Sequence, residues 1–296
     1  MATPSDDKDQ GQFDAPFLAA LLESQKRAVD SVAACAEAIE RAAETISDRL
    51  RAGGRLVYIG AGSSGLIALQ DGAELPGTFG LDIERIVFLI AGGMAEIARI
   101  DSAAEDDIGG ASADIAALGP MERDIVIAIS ASGSTPYTLA RAKAARERGA
   151  SVIALANRAA SPLLHIADHP ILLDSGAEAL HGSTRLAAGT AQKCALGLLS
   201  TMANARLGHV FRGHMVNVRP ENEKLRRRAV HIIASVAGVD EDAASASLGR
   251  AKGDVKCAIV IASGAATREQ AQDMIHQAGG HVGAALARLH PGAASF

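Results

Sequence analysis

Two short turns, rich in glycine and hydroxyl groups, are the parts of this 296-residue chain best suited to chemistry. The first, Gly60-Ala61-Gly62-Ser63-Ser64-Gly65, follows an apolar run and leads into a segment carrying Asp71 and Glu74. The second, Ser130-Ala131-Ser132-Gly133-Ser134-Thr135-Pro136, follows another apolar run. Small residues let backbone N–H groups and a helix N-terminus close on an anion, and serine hydroxyls add short donors. The first turn also fits G-x-G-x-x-G, the dinucleotide fingerprint, which requires an acid at the end of the following strand to hold the ribose. Here that strand, residues 85–90, runs into Ala91-Gly92-Gly93, and the nearby acids Asp82 and Glu84 precede it. The dinucleotide reading therefore weakens. Two hydroxyl-rich turns facing one pocket surround a small anion with neutral donors, and a phosphomonoester fits them best.

The elements that must hold these turns are legible from apolar periodicity. Val29, Val32, Ala36, Ile39, Ala43, Ile46 and Leu50 recur in steps of three and four, which predicts one amphipathic helix over residues 17–50, stopped by Gly53 and Gly54. Strands are expected directly after Gly54 and over 85–90, 124–129, 152–156 and 171–173. Helices are expected between them, including 94–104 and 136–148, the latter with Thr135 as N-cap and Pro136 at its first position. Strands alternating with helices predict an α/β fold, a three-layer sandwich around a mostly parallel five-stranded sheet. Ligands of such sheets sit beyond the carboxyl ends of the strands, where both turns lie. A further loop leads to a helix through Arg206 with its N-cap at Ser183 or Thr184, and residues from Glu221 onward read as helices. The run 255–261 is compatible with strand or buried helix.

Composition narrows the function classes. Hydrophobic residues make up 48% of the chain but aromatics only 3%, so the core is built from Ala, Leu, Ile and Val. A net charge of -5 argues against nucleic acid or an anionic membrane as partner. Cys35, Cys194 and Cys257 are isolated and odd in number, which gives neither a disulfide framework nor metal spacing and suits a reducing cytoplasm. No apolar run reaches spanning length, and the polar residues 1–14 are expected to be disordered.

Together the motifs GGRLVYIGAGSSG, GAELPGTFG, LIAGG, AEDD, SASGSTPY, GSTRLAAGTAQK and NEKL resemble those of the N-acetylmuramic acid 6-phosphate etherases, sugar-isomerase (SIS) fold lyases related to the glucokinase regulatory proteins. The likeness is close over residues 53–225 and weaker at both ends. It implies a flavodoxin-like SIS domain over residues 15–215 and a small helical region over 216–296. It also implies a cytoplasmic homodimer using no cofactor, neither metal nor nucleotide, and a phosphorylated amino sugar as ligand. The reaction implied is carbon–oxygen lysis of the D-lactyl ether, in cell-wall amino sugar recycling. By the same resemblance Glu74 is the acid that protonates the departing lactate oxygen, and Glu105 is the C2 base. Gly62, Ser63, Ser64, Ser132, Gly133, Ser134 and Thr135 would hold the 6-phosphate, with Ser183 and Arg185 completing the site or the dimer. On residue type alone, Glu74 is equally a solvated helix acid, and Glu105 lies in a charge run of the kind that forms solvated faces. Asp71, one turn before Glu74, either tunes it or is another surface acid.

The chain departs from the family at Leu66 and Ser134, where etherases carry Arg, at His181, where they carry Thr, and at Ala187, where they carry Lys. Lost cations weaken anion binding, which keeps open a second reading, a non-catalytic sugar-phosphate-binding regulatory protein. A third, an aldose–ketose isomerase of the same fold, lacks the GSTR to GTAQK segment present here.

Overall fold

The computed structural model describes residues 15–94 and 102–290. The N-terminal stretch expected to be disordered lies outside these residues, as does most of the helix expected over 94–104. The chain divides into two compact units. The first comprises the chain up to Ala42, Gly54–Gln70 and Val87–Leu198; the second comprises Ala43–Gly53, Asp71–Ile86 and the chain from Leu199.

The first unit is built on a five-stranded sheet of order β2-β1-β3-β4-β5. Its strands are β1 (Leu56–Gly60), β2 (Ile86–Ile90), β3 (Ile125–Ile129), β4 (Ser151–Ala156) and β5 (His169–Leu172). β1, β3 and β4 are buried at every position. A strand covered on both faces needs a continuous apolar run rather than an alternating one, and the sequence supplies LVYIG, IVIAI and SVIALA. The pairings of β1 with β3, β3 with β4 and β4 with β5 are parallel, with Gly60 opposite Ile129 and Ile129 opposite Leu155. Register is pinned at the opposite end: Asp124, 3% exposed, accepts from the Arg55 backbone N–H at 2.8 Å and from its guanidinium Nη2 at 2.6 Å. Chain order departs from β1 to β2 on one side and to β3 on the other, so the carboxyl ends of β1 and β3 form the switch point where open sheets bind ligands.

The single helix expected over residues 17–50 is two, α1 (Ala15–Ala33) and α2 (Ala36–Arg51). The break has a side-chain cause. Cys35 tightens the chain through a backbone bond to Val32 O, and its thiol donates to Leu172 O of β5 at 2.9 Å. The stripe survives at Val32, Ile39, Ala43, Ile46 and Leu50, all buried, whereas Val29 is exposed. After β1 comes α3 (Gly62–Phe79), then a short 3-10 turn over Ser102–Asp106 and α4 (Ala111–Ala117) ahead of β3. α5 (Pro136–Glu147) and α6 (Pro162–Ile166) flank β4, and α7 (Ala187–Arg206) follows β5.

The second unit packs α8 (Glu223–Ala237), α9 (Glu241–Arg250), α10 (Val255–Ala262), α11 (Arg268–Gln277) and α12 (Val282–Leu289) around Ile232, Ile233, Leu248, Ile259 and Val260. Asn222, Asp240, Asp254 and Thr267 each cap a helix by accepting from the N–H three residues on. The run 255–261 is therefore helical, announced by Asp254. A two-stranded hairpin, β6 (Val210–Phe211) and β7 (His214–Met215), was not foreseen. Its turn residues Arg212 and Gly213 both have positive φ, the mirror-image turn that matches strand twist, but arginine in place of asparagine hides the motif.

Candidate active site

At the end of β1 the chain turns at Ala61 and enters α3. The N–H of Gly65 bonds Ala61 O at 3.0 Å, the first intrahelical bond, so the N–H groups of Gly62, Ser63 and Ser64 have no partner within the helix. These groups, the positive end of the helix and the two serine hydroxyls form an anion-seeking edge.

Beside it, after β3, the second turn is a network of hydroxyls. Ser130 Oγ, a residue only 2% exposed, lies 2.8 Å from Thr135 Oγ1 and 3.3 Å from Ser132 Oγ, and accepts from Gly133 N at 3.1 Å. Ser132 Oγ accepts from Ser134 N at 3.2 Å and from Ser134 Oγ at 3.1 Å. Thr135 is the residue before α5 as expected, and Pro136 opens the helix, but the threonine hydroxyl serves the network rather than capping. Gly133 is required here. Its φ is 62°, and a side chain would begin 2.2 Å from Ser161 Oγ. Its carbonyl accepts from Leu163 N, and Asn157 at the end of β4 donates its N–H to Ala131 O, so the loop is fastened from behind. Gly60 of β1 pairs with Ile129 of β3, so the two turns leave neighbouring strands at the same end of the sheet.

Glu105 stands in the 3-10 turn and reaches the first of these turns: a methyl group on Gly62 would lie 2.6 Å from its Oε1. Burial first, then the adjacent Asp106 charge, raises its pKa above the ordinary carboxylate value. The segment is tethered by Arg141 of α5. The guanidinium of Arg141, only 4% exposed, pairs with Asp114 at 2.6 Å, donates to Asp107 O at 3.0 Å and lies 3.6 Å over the Tyr137 ring. Sequence reading missed Arg141. Its clue was its place on a helix face whose other buried positions are Tyr137, Thr138, Ala142 and Ala145.

Glu74 is an exposed residue of α3 and belongs to the second unit; Asp71, one turn earlier, accepts from Ser200 Oγ at 3.0 Å. Ser183 and Arg185 occupy the loop before α7, half-buried and exposed respectively. The expected cap at Ser183 or Thr184 is not used: α7 starts at Ala187, and the carboxylate of Glu178 accepts from the N–H groups of Ala187 and Ala188, both at 3.0 Å. Within α7, Gln192 is 1% exposed and donates to Asn157 Oδ1 at 2.9 Å, bracing the loop-fastening asparagine. Leu66 is 37% exposed one turn into α3, and Ala187 is fully buried. Among the described residues no His, Cys, Asp and Glu cluster could hold a metal ion, and no helix is long and apolar enough to cross a membrane.

Known proteins share the sequence and the fold of this chain. Residues 20–157 match the SIS domain family. The N-acetylmuramic acid 6-phosphate etherase of Deinococcus radiodurans is 43% identical over 90% of this chain and 87% of its own length. That of Streptomyces avermitilis is 42% identical over 87% and 83%. Among solved structures, one described as a candidate phosphosugar isomerase involved in capsule formation, from Bacteroides fragilis, has a TM-score of 0.50 at 23% identity, covering 66% of this chain and 92% of that one, a likeness of fold. With a matching fold, a hydroxyl cradle at the switch point and relatives of this identity over nearly the whole chain, the protein belongs to the N-acetylmuramic acid 6-phosphate etherase family.

Proposed function

We propose that this chain is a carbon–oxygen lyase that splits the D-lactyl ether of N-acetylmuramic acid 6-phosphate, giving N-acetylglucosamine 6-phosphate and D-lactate. The observation that carries the reading is Glu105: a carboxylate with raised pKa held against the N-terminal turn of α3, beside a cradle of neutral donors. In the open-chain sugar the C1 aldehyde acidifies the C2 proton. Glu105 removes that proton, and the electrons form the C2–C3 double bond as the C3–oxygen bond breaks. Lactate is a poor leaving group until its ether oxygen gains a proton, which Glu74 supplies. Water then adds to C3 with Glu74 as base, and Glu105 returns the proton to C2. A base works best when its pKa approaches the working pH, and burial moves Glu105 in that direction.

The 6-phosphate is held by Ser63, Ser64, Ser132, Ser134 and Thr135 with the backbone N–H group of Gly62, Gly133 shapes the second turn around it, and Ser183 and Arg185 complete the site or the contact with a second copy. The working form is a cytoplasmic homodimer, in which a second copy gives the exposed Glu74 the cover a general acid needs.

A second reading, sugar-phosphate binding without turnover, is favoured by one observation: uncharged Leu66, Ser134 and Ala187 leave phosphate recognition to neutral groups. Incubating the protein with muramic acid 6-phosphate and following D-lactate separates the two. Release that Glu74→Ala or Glu105→Gln abolishes supports the lyase and its residues. Binding without lactate from the wild type overturns the lyase in favour of the sensor, and release indifferent to Glu74→Ala overturns that assignment.

A further inference from the structure

The second unit contains a cavity of about 870 Å3, within the size range of small-molecule sites. Its wall carries Arg51, Arg219, Lys252, Lys256 and His276 against a single carboxylate, Asp254. That carboxylate is engaged: Oδ1 accepts from Cys257 N at 3.0 Å as the cap of α10, and Oδ2 accepts from Cys257 Sγ at 3.1 Å. Two of the cations are engaged as well, Arg51 with Asp48 and Arg219 with Asp82.

Lys256 is different. It is 7% exposed, and its Nζ donates to Gly280 O at 2.9 Å, which uses one of the three N–H donors of an ammonium. Among the described residues no carboxylate lies within ion-pair distance of it. Burial pulls its pKa down to about 8 although Asp254 and Cys257 pull the other way, and its charge helps to lower the pKa of His209. A buried cation without a counter-ion is costly, and an anion in the adjoining space relieves the cost. The same wall includes Val255 and Lys256 at the first turn of α10, whose backbone N–H groups lie ahead of any intrahelical partner. Lys252, exposed at the preceding turn, adds a second ammonium.

We propose that this cavity is a binding site for a small phosphate ester, held by Lys256, Lys252 and the N-terminal turn of α10. Two ammonium groups and a helix N-terminus match a dianion with three terminal oxygens better than a carboxylate, which brings one charge and two oxygens. The site lies within the second unit and is separate from the serine cradle of the first.

Calorimetric titration of the full chain with inorganic phosphate tests the assignment, in a Ser132→Ala background that weakens the serine cradle. Lys256→Gln is expected to weaken the remaining phosphate binding tenfold or more, and Lys252→Ala by about threefold. Hydrogen exchange at residues 255–257 should slow on adding phosphate, a readout that needs no variant to fold. Phosphate affinity unchanged by Lys252→Ala and Lys256→Gln, or exchange at 255–257 indifferent to phosphate, overturns the site. Acetate binding as well as phosphate in a Lys256-dependent way overturns the phosphate assignment.

Discussion

The carboxylate of Glu105 occupies the space that any side chain at residue 62 would enter: Oε1 lies 2.6 Å from where the Cβ would be. Gly62 also has φ 52°, so a larger residue meets both a left-handed backbone and the carboxylate. Gly62→Ala is expected to cost about 1–2 kcal/mol of stability. Because displacement by about an ångström costs roughly a hundredfold in positioned catalysis, lactate release should fall far more than that stability loss explains. Denaturant titration and turnover on the same preparation check the two separately.

Glu105 gives a pH signature. As the proposed base it must be ionised, so activity is expected to rise with pH through a limb lying above the ordinary carboxylate pKa. Asp106→Asn removes one cause of the shift and should move that limb to lower pH without abolishing turnover. Stability runs the other way. A carboxyl whose folded pKa is raised favours the fold in its protonated form, and that contribution is lost as pH rises through the folded value. Glu105→Gln should therefore abolish turnover while leaving the protein at least as stable at neutral pH, as measured by thermal unfolding.

Arg141 holds the Glu105 segment from below. Replacing it with Met keeps the stem's packing but removes the pair with Asp114 and the bond to Asp107 O. Both carboxylates are 42% and 56% exposed and regain water, so the expected loss is about 2 kcal/mol rather than the larger cost of a stranded buried charge. Turnover should drop with little change in KM if the base alone is displaced. Arg141→Lys should rescue the fold better than the rate, since one ammonium cannot make the forked contacts.

His209 makes the second unit acid-sensitive. Burial first, then Lys256, His281 and Arg85, holds its pKa down to about 3, and its ring bonds Asn204 Oδ1 at 2.9 Å, which assigns the proton to Nδ1. A histidine depressed in the fold contributes stability present above its unfolded pKa and lost as pH falls toward the folded one. Between pH 7 and pH 5 that loss is about 2 kcal/mol. In His209→Gln the stability curve should be flatter across this window, by urea titration at each pH.

The apolar runs that became β1, β3 and β4 and the serine turns after β1 and β3 were readable because each is local: a few adjacent residues carry the whole physical reason. What the sequence concealed depends on partners far along the chain. Cys35 breaks a regular helical stripe only because Leu172 O lies within reach, and Glu178 caps α7 from outside the helix, displacing the obvious Ser183 and Thr184. Arg141 and Lys256 look like surface charges until the fold buries them. The turn at residues 60–65 fits two patterns at once, since a dinucleotide motif and an anion-binding turn share the same glycine physics, and only the acid-free end of the next strand told them apart in the sequence.

The hydroxyl network after β3 has a direction. Ser134 donates to Ser132 Oγ through both its N–H and its hydroxyl, Gly133 N donates to Ser130 Oγ, and Ser130 also bonds Thr135 and Ser132, so the loop's hydrogens run inward and its hydroxyls satisfy one another. An anion arriving at this loop exchanges one of these internal bonds for each hydroxyl hydrogen it receives, which keeps the net gain per contact modest. The loop therefore holds its hydroxyls in place ahead of any ligand, and a Ser→Ala change within it is felt by the fold as well as by what binds there.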